Sequence, residues 1–347
     1  MLIGNYIREQ SSILSELPAR VAPKLAGMAS LAEMPQRIIL LGTGSSMNAL
    51  LAGAEALEIA TGATVLAKEP EAFLRLPPRQ NGQRTLVLAA SQSGMSTYSV
   101  EAVKRAVDDG FLTLVITGDG DSKIAKVGAD VLVMPIGEET VGPKTKGYSA
   151  TVLSVFAIAA GLGKRKLDTA WLKAQLPTTI ETGRAAAKEL LGQYGVPDYI
   201  LVAGQAQHLG TALETGLKIA EISGVPTASF DTEEALHGHC YGTTAKSLVI
   251  AIAQTDTEAK VAANLGDALT PLGPRLAVCN LSPHATRFDL PVAWPTSAGL
   301  DWIAACWAPI PLQWYACELA IARGIDPDKM IYPGLGAKLN IRTKKVA

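Results

Sequence analysis

Hydroxyl-bearing residues are concentrated in one short turn that is suited to binding an anion. The turn follows residues 85–90, an apolar run of strand length, and precedes a helical pattern that ends at Gly110. Such a turn presents free backbone N–H groups and the positive end of a helix dipole, both of which favour a phosphate. Helix capping alone is the alternative, although a cap needs one hydroxyl and this turn has more. The hydroxyl donors are Ser91, Ser93, Ser96 and Thr97.

A second small-residue turn, at 42–46, follows the predicted strand at 37–41. It begins like a dinucleotide-binding fingerprint, but Met47 stands where a third glycine would allow close helix packing. We therefore expect no nicotinamide cofactor. Because both turns follow strands of one predicted parallel sheet, they can face the same crevice.

The loop at 142–147 approaches a nucleotide-binding loop without completing it. Pro143 lies between Gly142 and Lys144, which lengthens the loop and removes an N–H group that would hold phosphate. ATP is therefore not expected. Lys144 and Lys146 stand at a helix start, where two cations are unfavourable unless an anion compensates, so we interpret the loop as a lid over the crevice. A solvated basic loop is the alternative.

Three charged residues share one face of the helix predicted at 209–222. Glu214, Lys218 and Glu221 lie at positions i, i+4 and i+7. A solvated stripe stabilised by a Glu–Lys pair is one explanation. The other is catalytic, because the helix starts near the crevice, and a carboxylate, a lysine and the nearby His237 suit proton transfer beside a carbonyl.

Metal binding and disulfide formation are not expected. His237, His239 and Cys240 are close in sequence, but no second cluster completes a metal site. The four cysteines show no paired spacing, which argues against a disulfide framework. A reducing cytoplasm is therefore the expected compartment.

Composition and charge limit the class of protein. Hydrophobic residues make up 48% of the 347 residues and charged residues only 18%, which predicts an ordered protein with room for two domains. The formal net charge of -1, with Lys and Arg scattered along the chain, provides no basic surface for nucleic acid or an anionic membrane. The longest apolar helical stretch, 150–163, is shorter than a membrane span, and the N-terminus does not read as a signal peptide.

Strand-like and helix-like segments alternate in two series along the chain. This alternation implies parallel sheets covered on both faces, and the two series repeat at an offset of about 160 residues, which indicates duplication of one α/β unit. Asp256 follows a strand of the second series, where its carboxylate would repel phosphate, so we expect one phosphate site per chain. The predicted strands are 37–41, 63–67, 85–90, 112–117, 131–135, 199–203, 247–252 and 276–280.

The two turns and the charged helix resemble those of the sugar isomerase (SIS) family, and the likeness extends over nearly the whole chain. It is a likeness to the double-SIS isomerase half of glucosamine-6-phosphate synthase and to its free-standing deaminase and deglycase relatives. The residues that match the family's motifs are Gly44, Ser45 and Ser46 in the first turn; Ser91, Gln92, Ser93, Gly94 and Ser96 in the phosphosugar turn; Glu214, Gly216, Leu217, Lys218 and Glu221 in the catalytic helix; Glu234, His237 and Gly238 in the histidine loop; and Lys338 in the tail.

The pattern and the resemblance together predict the architecture. The fold is expected to be α/β, with two tandem three-layer α/β/α domains whose parallel sheets are flavodoxin-like. The expected divisions are an N-terminal helical arm at 1–33, a first SIS domain at 34–175, a connecting helix at 176–194, a second SIS domain at 195–325, and a C-terminal tail over the site at 326–347.

The resemblance also implies roles for the matched side chains, without a cofactor or a metal. The serine turn would hold the phosphate, and Glu221 would move a proton between C1 and C2 of the sugar. His237 would assist ring opening and would come from the neighbouring subunit of a homodimer. Lys218 would orient Glu221 or stabilise an enediol(amine), and Lys338 would cover the open-chain sugar. Lys144 is assigned to the phosphosugar pocket.

Departures from the synthase pattern narrow the expected reaction. No glutaminase domain is expected, Met95 replaces an acidic residue, and Gly142, Pro143 and Lys144 replace a hydroxyl-bearing segment. These differences favour an enzyme that removes the amine of a hexosamine 6-phosphate or splits a fructosamine 6-phosphate. The resemblance therefore predicts a deaminase, a deglycase or an aldose–ketose isomerase. The alternative is a phosphosugar sensor that binds its ligand without turnover.

Overall fold

The structure is a computed structural model that describes residues 1–77, 84–296 and 301–342. In chain order its helices and strands are α1 (Leu2–Leu25), β1 (Arg37–Leu41), α2 (Ser45–Ala52), α3 (Ala54–Thr61), β2 (Thr64–Lys68), α4 (Pro70–Leu74), β3 (Thr85–Ala90), α5 (Thr97–Asp108), β4 (Leu112–Thr117), β5 (Asp130–Val133), α6 (Lys146–Leu162), α7 (Leu172–Tyr194), β6 (Tyr199–Ala203), α8 (Gln207–Ser223), β7 (Thr227–Phe230), α9 (Thr232–Leu236), β8 (Ser247–Ala253), α10 (Asp256–Leu269), β9 (Arg275–Asn280), α11 (Ile310–Ala322) and α12 (Leu335–Lys338).

The chain divides into two compact units, named here by their sheets. The five-stranded unit comprises Ser12–Thr140, Lys146–Trp171 and Tyr332–Ala347. The four-stranded unit comprises Met1–Ser11, Val141–Thr145 and Leu172–Ile331. Among the described residues, no helix combines the length and the apolar character needed to cross a lipid bilayer.

The five-stranded sheet is parallel throughout, with the order β2-β1-β3-β4-β5. Every residue of β3 is buried, which requires helices on both faces of the sheet. On one face, Val87 and Ala89 share a buried cluster with Ala102 and Val103 of α5. The strand order reverses between β1 and β3, so the turns after these two strands lie side by side at the carboxyl edge of the sheet.

The four-stranded sheet repeats this design, with the order β7-β6-β8-β9 and parallel pairing. Its strand β8 is buried along its full length. The order matches that of the first four strands of the other sheet, as a duplicated unit requires. The prediction of two tandem flavodoxin-like α/β units is therefore confirmed. The sequence pattern does not predict β7, because this strand is short and only half-buried.

One predicted helix is divided in two. The apolar pattern predicts a continuous helix through 50–59, but α2 ends at Ala52 and α3 begins at Ala54. A Cβ atom on the intervening Gly53 would lie 2.3 Å from Cγ1 of Val155 in α6. Close packing of α6 at this point therefore requires glycine at position 53. The hydrophobic periodicity of residues 50–59 cannot predict this requirement, because it arises from contact with a residue far away in the sequence.

The turns that precede α2 and α8 share an unusual backbone conformation. Gly44, before α2, has φ 55° and ψ -134°, and Ala206, before α8, has φ 52° and ψ -128°. Glycine adopts this region without strain, whereas an alanine there stores on the order of 1–3 kcal/mol. The duplicated turn has therefore kept its geometry in the four-stranded unit, although the residue there is not glycine.

Replacing Ala206 with glycine is expected to stabilise the protein. Relief of the strain exceeds the extra backbone entropy of glycine in the unfolded chain, which costs about 0.4–1 kcal/mol. We expect the melting temperature to rise by about 2–4 °C in a thermal unfolding scan.

Ala212→Gly serves as the matched control, because Ala212 is buried within the same helix, α8. It should lower the melting temperature, since glycine in a helix interior costs about 1 kcal/mol. A decrease with Ala206→Gly equal to that of the control would show that Ala206 carries no strain.

Candidate active site

The serine turn lies at the carboxyl end of β3 and is held rigidly by β4 and the turn after it. The N–H of Ser91 donates to the carbonyl of Ile116 over 3.0 Å, and the N–H of Gly118 donates to the carbonyl of Gln92 over 2.9 Å. Gly94 has φ 61°, and a Cβ atom there would lie 2.0 Å from Oγ of Ser122. Glycine is therefore required, and the turn has one well-defined conformation.

The hydroxyls of this turn are not used to cap the helix that follows. Ser96 occupies the N-cap position of α5 but makes no side-chain capping bond. Its Oγ instead accepts from Oγ of Ser99 over 3.1 Å. Oγ of Ser93 accepts a long bond, 3.4 Å, from the N–H of Met95. The capping explanation therefore does not account for Ser96, and anion binding by this turn stays a prediction.

The first turn lies beside the serine turn, because β1 and β3 are neighbours in the sheet. Gly44 is the N-cap residue of α2, and Ser45 and Ser46 begin the helix with half-buried side chains. The structure therefore groups the two predicted phosphosugar turns at one edge of the five-stranded sheet.

A buried carboxylate that the sequence analysis missed is bound to the serine turn. Oε2 of Glu139 accepts from the backbone N–H of Gly147 at 3.1 Å and from Nε2 of Gln92 at 3.3 Å. Glu139 is 5% exposed. Its carboxylate lies at the N-terminus of α6, where a negative charge is favourable to the helix dipole.

Glu139 bears on the interpretation of the lysine loop. An anion was expected to compensate Lys144 and Lys146 at this helix start, and the carboxylate of Glu139 already accepts from the N–H of Gly147 there. The interpretation of the loop as a lid stays a prediction. Nζ of Lys144 donates to the carbonyl of Val141 within its own loop, over 2.8 Å. The sequence contained a signal for this arrangement, because Glu139 precedes Lys144 by five residues and Lys146 by seven. Contact of Lys144 with a sugar stays a prediction.

The charged residues of α8 form a buried network within the four-stranded unit. Glu214 is fully buried, Lys218 is 1% exposed, and the side chain of Glu221 is 28% exposed. Nζ of Lys218 lies 3.4 Å from Oε1 of Glu214 and donates to Oε2 of Glu221. The solvated-stripe explanation is therefore wrong, and only Glu221 presents a carboxylate to solvent.

The two carboxylates keep Lys218 charged. Burial alone lowers the pKa of this ammonium, but Glu214 and Glu221 more than offset that effect, so the pKa of Lys218 lies above its usual value. The ammonium of Lys218 donates to Glu221 and so fixes the position of that carboxylate. This arrangement suits a general base that needs one defined orientation.

The position of this network along α8 differs from the expected one. The start of the helix, at the carboxyl edge of the sheet, was expected to bring these residues to the crevice, but Glu221 lies about 20 Å further along the helix axis. Oγ1 of Thr227, the first residue of β7, donates to the carbonyl of Gly216 over 3.0 Å. The network therefore lies at the amino edge of the four-stranded sheet.

The carboxyl edge of the four-stranded sheet is filled by the protein's own side chains. Nε2 of His208 lies 2.6 Å from Oε1 of Gln254, and burial lowers the pKa of this histidine. Glu258 closes a capping box with Thr255 at the start of α10 and also accepts from the N–H of Gln254 over 2.7 Å. A carboxylate thus occupies the N-terminus of α10; it belongs to Glu258 and not to Asp256, on which the expectation of one phosphate site per chain was based, and that expectation stays a prediction.

His237 and Lys338 lie on exposed segments. His237 follows α9, its side chain is 80% exposed, and its Nε2 lies 3.2 Å from Oε2 of Glu233. His237 therefore lies next to Glu233 on its own loop. Lys338 ends the short helix α12 and is exposed. The roles of both residues stay predictions.

A cavity of about 560 Å³ in the five-stranded unit lies apart from these residues. Small apolar side chains of α1 and the end of α6 line it, among them Ala19, Ala22 and Ala157. None of the predicted site residues contributes to its wall, so we do not assign it to the active site.

Comparisons with known proteins agree with this architecture. A family model described as the SIS domain matches residues 31–160 and 197–323. The isomerizing glutamine–fructose-6-phosphate aminotransferase of Acidithiobacillus ferridurans is 26% identical over 318 residues, which cover 87% of this chain and 52% of that protein. The chain spans about half the length of the curated relatives it matches.

Solved structures share the fold at low sequence identity. Glucosamine-6-phosphate deaminase of Thermotoga maritima has a TM-score of 0.72 at 20% identity, covering 93% of this chain and 98% of that chain. Tagatose-6-phosphate ketose/aldose isomerase of Escherichia coli has a TM-score of 0.76 at 18% identity, covering 96% of each chain. The family model matches each of the two parallel sheets separately, and the four strands of the second sheet follow the same order as the first four of the other sheet. This chain therefore belongs to the SIS domain family.

Proposed function

We propose that the protein is an enzyme acting on a phosphorylated amino sugar, either a hexosamine 6-phosphate or a fructosamine 6-phosphate. It would be a deaminase, a deglycase or an aldose–ketose isomerase. The observation that carries this proposal is the buried Glu214–Lys218–Glu221 network, because it holds one half-exposed carboxylate beside a permanent ammonium. A protein that only binds its ligand has no need of such a base.

The proposed roles follow from the chemistry of each side chain. The serine turn and the N-terminus of α5 bind the phosphate through hydroxyl and N–H donors. For a hexosamine 6-phosphate, the carboxylate of Glu221 removes the proton from C2 of the open-chain aldose and returns it to C1, which leaves an imine at C2 that water hydrolyses to a ketone and ammonia. For a fructosamine 6-phosphate, whose C2 is a ketone carbon, Glu221 moves a proton from C1 to C2, and water hydrolyses the resulting imine at C1 to an aldehyde and the free amine. With a hydroxyl in place of the amine, the same transfer, together with movement of the hydroxyl proton between the two oxygens, interconverts aldose and ketose.

His237 and Lys338 complete the proposed site. The imidazole of His237 transfers the proton that opens the sugar ring, and its 80% exposure leaves it accessible to a second copy of the chain. We therefore propose a homodimer in which this loop contributes to the neighbouring subunit's site. Lys338 covers the open-chain sugar from the tail, and Lys144 contacts its polar groups. Free thiols at all four cysteines agree with the proposed cytoplasmic location.

A substrate panel tests the activity. The protein is incubated with glucosamine 6-phosphate, fructose 6-phosphate, tagatose 6-phosphate and a fructosamine 6-phosphate that carries an amino acid. Ammonia, free amino acid and aldose–ketose interconversion are then measured. Turnover of at least one compound is expected. Binding of a phosphosugar without turnover of any compound in the panel would favour a sensor and contradict the proposal.

The serine turn is tested in the same assay. Replacing both Ser91 and Ser93 with alanine removes two donors to a charged phosphate, so KM is expected to rise about tenfold or more. Thr178→Ala, which removes an exposed hydroxyl on α7, is the control and should leave KM unchanged. An unchanged KM in the Ser91/Ser93 variant would remove this turn from the site.

A further inference from the structure

The C-terminal tail pairs with the start of the helix that follows the serine turn. The N–H of Thr97 donates to the carbonyl of Ile341 over 3.3 Å. Ser96 and Arg342 are partners in an isolated antiparallel bridge. Both contacts lie within the five-stranded unit, so the tail is fixed beside the proposed phosphate site at backbone level.

The type of bridge determines the direction of the Arg342 side chain. A bond from Thr97 to Ile341 joins the residues next to Ser96 and Arg342, which makes these two a non-hydrogen-bonded pair. In such a pair the Cα atoms are about 4.5 Å apart, and the opposing side chains lie on the same face. The side chain of Arg342 therefore leaves the tail on the same side as the hydroxyl of Ser96.

The serine turn lacks a positive charge, and Arg342 carries one. The turn from Ser91 to Thr97 contains neither lysine nor arginine, although its proposed ligand carries about two negative charges. Arg342 is exposed, and among residues 1–77, 84–296 and 301–342 no ion pair is found for it. A guanidinium can bind two phosphate oxygens at once, which a hydroxyl cannot do.

We propose that Arg342 supplies the positive charge that the serine turn lacks, and that it selects phosphorylated over unphosphorylated sugars. This inference rests on the proposed function, because it assigns one further residue to the same site. The tail would then contribute at two points: Lys338 over the open-chain sugar and Arg342 at the phosphate.

Binding measurements on the full chain test this role. Isothermal titration with glucosamine 6-phosphate, with inorganic phosphate and with unphosphorylated glucosamine is compared for wild type, Arg342→Gln and Arg342→Lys. Arg342→Gln is expected to weaken binding of both phosphate ligands about tenfold and to reduce the salt dependence of Kd. Arg342→Lys should retain most of the affinity. Affinity for glucosamine, whatever its value, should not change.

Two controls separate this inference from the proposed function. Arg20→Gln removes an exposed arginine of α1 and should leave all affinities unchanged. The single variant Ser93→Ala, which keeps Arg342, should weaken binding of both phosphate ligands. If Ser93→Ala weakens binding but Arg342→Gln does not, the role of Arg342 is overturned and the proposed function stands. If wild type binds neither phosphate ligand, both are overturned.

Discussion

Glu221→Gln is expected to lower kcat at least 100-fold on whichever phosphosugar the wild-type protein turns over. General acid–base catalysis by a positioned side chain contributes about 10²–10⁴-fold, and an amide cannot accept the proton. The side chain of Glu221 is 28% exposed, so its carboxylate is accessible from solvent, whereas Glu214 is fully buried. Steady-state kinetics and phosphosugar affinity are to be measured on the same preparation.

The substitution should affect catalysis far more than folding or binding. Lys218 keeps the carboxylate of Glu214 at 3.4 Å, so removal of the charge of Glu221 does not leave the buried ammonium unpaired. The Kd for the phosphosugar is expected to change less than threefold, since the proposed phosphate contacts come from the serine turn and not from Glu221. Glu189→Gln, an exposed carboxylate on α7, is the matched control and should leave kcat unchanged.

A different result would identify a different base. If Glu221→Gln retains more than about a tenth of wild-type kcat, proton transfer does not depend on this carboxylate. Glu221→Asp distinguishes position from charge, because it keeps the carboxylate but withdraws it by one methylene from Lys218. Partial activity of Glu221→Asp with no activity of Glu221→Gln would support a general base whose position matters.

The sheets could be predicted from the sequence because each strand that is buried on both faces is a continuous apolar run. β1, β3, β4 and β6 begin and end at the predicted residues. The helices α10 and α11 were not predicted. Every residue from Ile310 to Ala320 is buried in α11, so this helix has no polar face to set a period. Burial on all sides removes the signal on which prediction of an amphipathic helix depends.

The candidate site was only partly predictable, for two physical reasons. Spacing alone placed Glu214, Lys218 and Glu221 on one face, but spacing does not distinguish a buried face from a solvated one. Glu139 was missed because its contacts with Gln92 and Gly147 join the end of β3 to the start of α6. A contact between segments so far apart in the chain depends on strand order, which the sequence does not state.

Lys218→Met is expected to destabilise the protein by about 3–5 kcal/mol. Methionine fills a similar volume, but the substitution leaves the carboxylate of Glu214, which is fully buried, without its cation. An uncompensated buried charge is among the most costly changes a protein interior can undergo. Urea and thermal unfolding of wild type and variant would measure the loss.

The ion pairs of Lys218 should also make the stability of the protein depend on pH. The pKa of Lys218 is higher in the folded protein than its usual value, so its ion pairs stabilise the fold fully below the unfolded pKa, about 10.4. That contribution is lost as the pH rises through the folded pKa. The free energy of unfolding of wild type should therefore fall above about pH 10.4 more steeply than that of the double variant Glu214→Gln/Lys218→Met, which lacks both charges.

Two further variants decide whether the loss comes from the stranded carboxylate. Lys104→Met removes the lysine of an exposed pair on α5, 2.9 Å from Asp108, and should cost less than about 0.5 kcal/mol. Adding Glu214→Gln to Lys218→Met removes the stranded charge and should recover most of the lost stability, since a neutral buried set often matches the ion pair it replaces. If Lys218→Met costs no more than Lys104→Met, the network of α8 is not the closed, desolvated cluster on which the assignment of Glu221 as a positioned base depends.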